Sequence, residues 1–404
     1  MTKTLNVLVI VPHCDGSDVG EAWCAHMWVS ELAKRANVTL ITQQRPGRIA
    51  LEQQLPNVRI IARQEPAWAL KFPRLNAMAK LSYPGFYFWA KRQIHTLLKN
   101  EEHFDVAHQF SPLALRFPTP LMAFNIPYVL GPLGGSLSTP SAFKKECGSA
   151  AWFTRLRTFD RLRLAWDPFL KRSYHKASAV LGVAPYVGTL LENAHLTRFD
   201  IESELGLSSL HSQKHQPDGS QKGLRLLHVG RGVRSKGLRD CIRALANLED
   251  LDGIHLDVAG SGEEMPICKA LATKLGVRDR ITFHGQIDRK EVDHLYEQAD
   301  VFCFPSFREP SGSVIFEAMS YGIPVITADR GGPGHVIDDS CGVKVAVTDT
   351  KEYPKNIALA VRALALMPGL RQTLSDGALV KMSTIAMWPE KISRLLKLYQ
   401  EIRQ

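Results

Sequence analysis

The chain has 404 residues, 45% of them hydrophobic and 22% charged, with 29 Gly and 23 Pro. That length favours two globular domains, and that composition excludes collagen-like, disordered and disulfide-stapled classes. The net charge of +10 is uneven: residues 1–200 carry 24 Lys+Arg against 14 Asp+Glu, whereas residues 201–404 carry 26 against 26, so an anionic partner is expected for the first half alone.

Leu5–Val11 is a nearly continuous apolar run, as expected of a parallel strand covered on both faces. It is too short, and lacks the small-residue cleavage site, to read as a leader. A Gly-containing loop, Asp15–Glu21, follows, and Ala22–Arg35 then has helical periodicity. Further strands are predicted at Val38–Thr42, Val58–Ala62, Asp105–His108 and Tyr128–Leu130. Phe117–Phe143 is the longest uncharged stretch but holds five prolines, which excludes a membrane helix. Ser208–Lys222 is polar and reads as a linker or exposed loop. A second β-first pattern then places strands at Leu224–Val229, Ile254–Ala259, Ile281–His284, Val301–Phe304 and Pro324–Ala328. Helices are predicted at Leu238–Leu248, Glu291–Gln298 and Pro389–Arg403. Two doubly wound α/β domains in series are the expected architecture. The seven cysteines are scattered and never paired as C-x-x-C, which points to reduced thiols in the cytoplasm and gives no zinc-site spacing.

Open parallel sheets bind ligands beyond the carboxyl ends of their strands, and the chemistry-bearing residues cluster there. After Val301–Phe304 comes Glu309-Pro-Ser-Gly312 and a helix expected to start near Gly312. The free amides of Gly312, Ser313 and Val314 at its positive end suit a phosphate. Glu317 lies about 7.5 Å further along the axis, a reach from diphosphate to ribose. After Leu224–Val229 the turn offers Arg231 and Lys236, two cations suited to a diphosphate leaving group. Gly260-Ser-Gly262 and Gly285-Gln286-Ile287 end two further strands. Read alone, Glu309 and Glu317 are also compatible with a solvated loop and an ordinary helix, and the two cations with a plain surface.

Together and in this order, these motifs resemble the retaining glycosyltransferases of family 4, with their two-domain GT-B fold. The resemblance implies two Rossmann-like domains facing a cleft: residues 1–200 on the acceptor side, a linker at 201–222, a donor domain at 223–384, and a C-terminal helix at 385–404 packing back on the first domain. It implies that Arg231 and Lys236 stabilise the diphosphate, that Glu317 holds the ribose and that Glu309 lies by the donor sugar. Gly285, Gln286 and Ile287 would line the base, with Gly260, Gly312, Ser313 and Val314 approaching the phosphates. In the first half, Gly20 stands where the family's Gly-rich loop closes over the donor. The family's His-x-His is here His108-Gln109-Phe110, so His108 is either a sugar-side catalytic group or a buried strand-end residue. His13 reads as a packing or loop residue. Late in the chain, Gly331–His335 stands where many members have a Glu.

The donor implied is a UDP-sugar or GDP-sugar, with no metal required. The acceptor implied is a glycan or lipid-linked glycan in bacterial polysaccharide or glycolipid assembly. Basic residues mixed with aromatics, across Ala69–Lys99 (with Trp68 at its edge) and Phe143–Lys176, suit an anionic membrane surface, hence a cytoplasmic protein peripheral to the inner face of the cell membrane. Nucleic acid is not expected, because no recognition motif accompanies the charge. A nicotinamide dehydrogenase would need a G-x-G-x-x-G with a following acidic residue, which is missing. The competing readings are a sugar-nucleotide epimerase or phosphorylase on the same fold, and a non-catalytic nucleotide-sugar or membrane-surface binding protein.

Overall fold

The structure, a computed structural model, describes residues 4–71, 76, 80–148, 163–211 and 223–403. Residues 212–222 of the linker and several residues of the basic-aromatic stretches (Phe72, Arg74, Trp152, Phe153, Arg155, Arg157, Phe159 and Arg161) lie outside the described residues. The chain divides into two compact units, and the division is not a single cut near residue 200. Unit 1 comprises Met1–Ser136, Phe153–Glu204 and Trp388–Gln404; unit 2 comprises Leu137–Trp152 and Leu205–Met387.

Unit 1 is built on seven parallel strands: β1 (Asn6–His13), β2 (Asn37–Gln44), β3 (Arg59–Gln64), β4 (Val106–Gln109), β5 (Tyr128–Leu133), β6 (Ala179–Gly182) and β7 (Phe199–Ile201), in the order β3-β2-β1-β4-β5-β6-β7. The apolar run of β1 is consistent with its position, since alternate side chains feed two different cores. Leu8 and Ile10 join the cluster beneath helix Tyr83–Lys99, while Val7, Val9 and Val11 join the one beneath helix Glu21–Ala33. Helix Trp388–Ile402 closes the second of these cores. Its residues Trp388, Ile392, Leu395 and Tyr399 recur at helical spacing and are buried, and Trp388 meets Trp28 edge-on at 5.2 Å. Its fully buried Lys391 pairs with Glu202 and donates to the Ser203 carbonyl at 2.8 Å.

Unit 2 repeats the plan with six parallel strands: β8 (Leu224–Val229), β9 (Ile254–Ala259), β10 (Ile281–Gly285), β11 (Val301–Phe304), β12 (Val325–Ala328) and β13 (Gly342–Val345), in the order β10-β9-β8-β11-β12-β13. Here too the central strands alternate between two cores: Val301 and Cys303 face one, Phe302 and Phe304 the other. In both sheets the strand order reverses beside the first strand, between β1 and β4 and between β8 and β11. That switch point is where an open parallel sheet leaves a crevice for a ligand. All seven cysteines are free thiols. No single helix among the described residues is long and apolar enough to cross a membrane.

Candidate active site

At the switch point of unit 2, β8 ends and the chain turns through Arg231–Lys236. The turn is fixed by its own backbone: Gly237 sits at φ 86°, where a Cβ would stand 2.3 Å from the Pro305 carbonyl oxygen. The Phe307 amide and the Ser306 hydroxyl both donate to the Ser235 carbonyl, at 3.2 and 2.9 Å. The loops after β8 and β11 are thereby joined. Arg231 stands exposed at the rim and makes no ion pair among the described residues. Lys236 is mostly buried over the Phe304 ring, 5.3 Å from its centroid, and forms an ion pair with Glu309. The expected diphosphate cation and the expected sugar-side carboxylate are therefore direct partners.

Helix Ser313–Ser320 starts at Gly312, in the left-handed region at φ 85°, and no side chain caps it. The Ile315 amide closes the first turn onto the Gly312 carbonyl at 2.9 Å, which leaves the amides of Gly312, Ser313 and Val314 as the orphan donors of a helix start. Beside them the buried Ser311 hydroxyl has no partner among the described residues. Three amides and a hydroxyl at a positive helix end fit an anion such as a phosphate. Glu317 is the fifth residue of this helix. Its Oε2 accepts from Arg289 at 2.5 Å and from the Tyr296 hydroxyl at 3.5 Å, and among the described residues Oε1 has no partner and is open to hydroxyl donors.

The strand-end glycines divide into two kinds. Gly260 answers to the protein itself: at φ 130° its Cβ would lie 1.9 Å from the Gly230 carbonyl oxygen, so the close approach is to the neighbouring loop rather than to a ligand. Gly285 sits at φ 73° with nothing within 4 Å of its Cβ position, and its carbonyl accepts from the Gly260 amide at 2.7 Å. The adjoining Gln286 is exposed and accepts from Ser261 at 3.1 Å, and Ile287 is half-buried next to it. Gly331 and Gly332 support the Glu309 loop from below. A Cβ on either would stand 2.2 Å from a carbonyl oxygen, that of Glu309 or that of Pro310, which accounts for Gly331 and Gly332.

Unit 1 treats its own switch point differently. His108, on β4, is fully buried. Its Nε2 lies 2.7 Å from the Gly131 carbonyl oxygen and its Nδ1 2.5 Å from the Tyr399 hydroxyl. A carbonyl only accepts, so Nε2 carries the proton and Nδ1 accepts from Tyr399. Burial lowers the His108 pKa to about 3, and the ring is neutral. With both nitrogens taken inside the core, the catalytic role expected of His108 is corrected to a structural one. Phe110 follows the same logic, stacking on the His108 ring at 3.9 Å and on Trp28 at 5.3 Å. His13 is buried 3.4 Å from Glu65, whose carboxylate also accepts from Asn76 and Arg45. Gly20 starts helix Glu21–Ala33 at φ 66°, exposed, with nothing near its Cβ position.

The structure thus brings together Arg231, Lys236, Glu309, Gly312–Val314 and Glu317 with Gly260 and Gly285–Ile287, all in unit 2. Residues 212–379 match the family model of group 1 glycosyl transferases. The same region carries the resemblance to curated relatives. An uncharacterized glycosyltransferase of Methanocaldococcus jannaschii is 34% identical over 156 residues, 38% of each chain. The lipopolysaccharide glucosyltransferase WaaG of Escherichia coli is 33% identical over 155 residues, 38% of this chain and 40% of that one. The matched part of the chain thus spans about two-fifths of those relatives. Over the whole chain the likeness is one of fold: the Anabaena protein HepE, solved in complex with UDP and glucose, aligns with 98% of this chain and 99% of its own at a TM-score of 0.62 and 17% identity. Two Rossmann-like parallel-sheet units are the GT-B architecture, and the group 1 region coincides with the unit that holds the site.

Three contributors escaped the sequence reading. Arg289 and Tyr296 hold Glu317, and Arg234 lies inside the Arg231–Lys236 turn yet points into the protein, bonded in bidentate fashion to Asp240 at 2.6 and 2.9 Å. Arg289 had a sequence signal, since it opens a helix that Asp288 and Glu291 cap as a box directly after Gly285–Ile287. Among the described residues no three His, Cys, Asp or Glu side chains form a metal-binding group.

Proposed function

We propose that this chain is a retaining glycosyltransferase that moves a sugar from a nucleotide-diphosphate donor to an acceptor hydroxyl. One observation carries the reading: the Lys236–Glu309 pair, exposed Arg231 and uncapped helix start of Gly312 converge at one switch point, inside the residues that match the group 1 glycosyl transferases. In the proposed reaction the acceptor oxygen bonds to the anomeric carbon as the bond from that carbon to the diphosphate breaks on the same face. The departing diphosphate oxygen takes the acceptor's proton. Arg231, Lys236 and the amides of Gly312, Ser313 and Val314 stabilise the charge that grows there, without a metal. Glu317 accepts from the ribose hydroxyls, and Gly285–Ile287 line the base. The UDP complex of the Anabaena protein favours a UDP-sugar over a GDP-sugar, and the Escherichia coli relative favours a glycan or lipid-linked glycan acceptor.

Thermal unfolding against UDP, GDP, ADP, CMP and dTDP, followed by transfer assays with and without chelator, tests this. The expected result is stabilisation by one nucleoside diphosphate, lost in Glu317→Ala, and chelator-insensitive release of that nucleotide from its sugar. Saturable binding with neither transfer nor donor hydrolysis would favour the non-catalytic reading, and interconversion of the donor sugar would favour an epimerase.

A second part of the proposal places the protein at the cytoplasmic face of a membrane. Of the aromatics in the basic stretches, Tyr83, Phe86 and Tyr87 are core. Trp68, Phe88, Trp166 and Phe169 are instead 53–78% exposed, beside exposed Lys91, Arg92, Arg163 and Arg172. Rings next to cations suit an anionic bilayer. Co-sedimentation with anionic but not neutral vesicles, weakened in Trp166→Ser/Phe169→Ser, is expected; equal binding to both would overturn it.

A further inference from the structure

Residues Leu137–Cys147 come from the first half of the sequence yet fold as part of unit 2. Their side chains reach the loops that carry donor-side residues and the helix that follows the first of them. Ser138 accepts from Arg330 through its carbonyl at 2.8 Å and its hydroxyl at 3.2 Å, and Arg330 leads into the Gly331-Gly332 floor beneath Glu309. Thr139 accepts from Arg308 at 2.9 Å, the residue before Glu309. Phe143 is fully buried against Phe307, with centroids 4.6 Å apart, and the Arg234 guanidinium lies 5.2 Å from both rings. Glu146 accepts from Arg234 Nε at 2.8 Å, with Nη2 of the same guanidinium 2.7 Å away, and from Arg243 at 2.6 Å.

We propose that Leu137–Cys147 is a strap that positions the donor-side loops of unit 2, and that Glu146, acting through Arg234, is a positioning residue for Arg231 and Lys236. Arg234 is 3% exposed in its side chain, and Asp240 and Glu146 both bind its guanidinium. It is the anchored middle of a turn whose two ends bear the functional cations. The partners Asp240 and Glu146 do different work. Asp240 sits on the helix that follows the turn and neutralises the guanidinium locally. Glu146 ties the same group to a separate segment, which also holds Arg308 and Arg330. The two arginines hold Glu146 well ionised, its pKa lowered to about 2. Loss of Glu146 leaves Arg234 paired with Asp240, so the core tolerates the change while the turn loses its outer tether. A displacement near 1 Å at a group acting on the leaving diphosphate costs on the order of a hundredfold in rate.

The catalytic half of this inference rests on the proposed transferase activity; the structural half does not. Hydrogen–deuterium exchange on the full chain, comparing wild type with Glu146→Gln and Thr139→Val, separates them. Exchange in peptides spanning 230–237 should rise at least tenfold in Glu146→Gln, and that spanning 307–312 should rise in Thr139→Val. Peptides from β9 and β12 should stay as in wild type, with Tm within about 3 °C. Unchanged exchange in 230–237, or a uniform rise with a collapsed Tm, overturns the strap. In transfer assays Glu146→Gln should lower kcat about tenfold with donor KM within twofold; it should cost less when added to Lys236→Ala, and nothing further when added to Arg231→Ala/Lys236→Ala. A full tenfold loss on top of Arg231→Ala/Lys236→Ala overturns action through the turn. A wild-type protein that turns over no donor refutes the functional proposal, and the exchange result then decides the strap on its own.

Discussion

Units 1 and 2 share an architecture and differ in what they do with it. Both place polar residues at a switch point of a parallel sheet. In unit 1 those residues are mostly spent on the fold: His108 bonds through both nitrogens to Gly131 and Tyr399, Phe110 stacks on His108, and Gln109 donates to Tyr83 at 3.1 Å, although its Oε1 is buried with no partner among the described residues. In unit 2 the corresponding ends keep capacity in hand: Arg231 is exposed, helix Ser313–Ser320 is uncapped, and Glu317 retains an open oxygen. A polar residue at a strand end is a site only where its hydrogen-bonding capacity is not already used by the protein.

The comparison breaks most easily at Lys236. Lys236→Ala should lower transfer by about 10²–10³-fold with donor affinity changed far less, as for removal of a group that acts on charge developed in the transition state. Equal losses in kcat and affinity would place Lys236 in ground-state binding instead. Its partner sharpens the point. Because Glu309 pairs with Lys236 in this structure, a diphosphate must compete with that carboxylate. Glu309→Gln should therefore tighten nucleoside diphosphate binding, read by calorimetry, while slowing transfer. Weaker binding would mean that Glu309 supports the diphosphate site rather than competing for it.

The converse holds in unit 1. His108→Phe keeps a buried ring but strands the Gly131 carbonyl and the Tyr399 hydroxyl, at about 1–3 kcal/mol each. Denaturant unfolding should show a stability loss of about 2–6 kcal/mol, with kcat of the folded protein within threefold of wild type. A hundredfold loss of kcat at unchanged stability would restore His108 to the chemistry.

The sequence made the frame legible where burial is two-sided. β8, β9 and β11 lie at the residues expected from their apolar-rich runs; β11 is apolar throughout, and the polar residues that interrupt the other two are paired, Arg225 of β8 with Asp257 of β9 at 3.2 Å and His228 of β8 with the Cys303 carbonyl. The unit 2 motifs were legible because each combines a glycine or proline with a charge at a strand end. Three things were not legible. His108 looked chemical because its two acceptor and donor partners, Gly131 and Tyr399, are 23 and 291 residues away. Gly260 looked ligand-facing because a sequence does not say which backbone approaches it. The segment Leu137–Cys147 looked like part of the first domain, since its pairing to unit 2 runs through single side chains 88 residues or more apart, Glu146 with Arg234 and Thr139 with Arg308, which leave no periodicity.

The smallest effect expected is one the two units share. Each buries a neutral histidine beside its switch point: His108 on β4, and His228 on β8, whose Nδ1 donates to the Cys303 carbonyl at 2.9 Å. Burial lowers their pKa values from the usual 6.5 to about 3 and about 4. A histidine whose folded pKa is depressed binds its proton more readily in the unfolded chain. Its stabilising contribution is therefore complete above pH 6.5 and is lost as pH falls toward the folded value. Each should cost about 0.7 kcal/mol between pH 7 and pH 6, rising to a slope of about 1.4 kcal/mol per pH unit near pH 5. Carboxylates titrate in the lower part of this window, so the informative quantity is a difference of slopes. The stability of His108→Phe should fall less steeply than that of wild type from pH 6.5 to 5, by close to one proton's worth. Parallel slopes would mean that His108 is protonated in the folded protein, and the structural role assigned to it in unit 1 would then fail on the same ground that separates it from the open strand ends of unit 2.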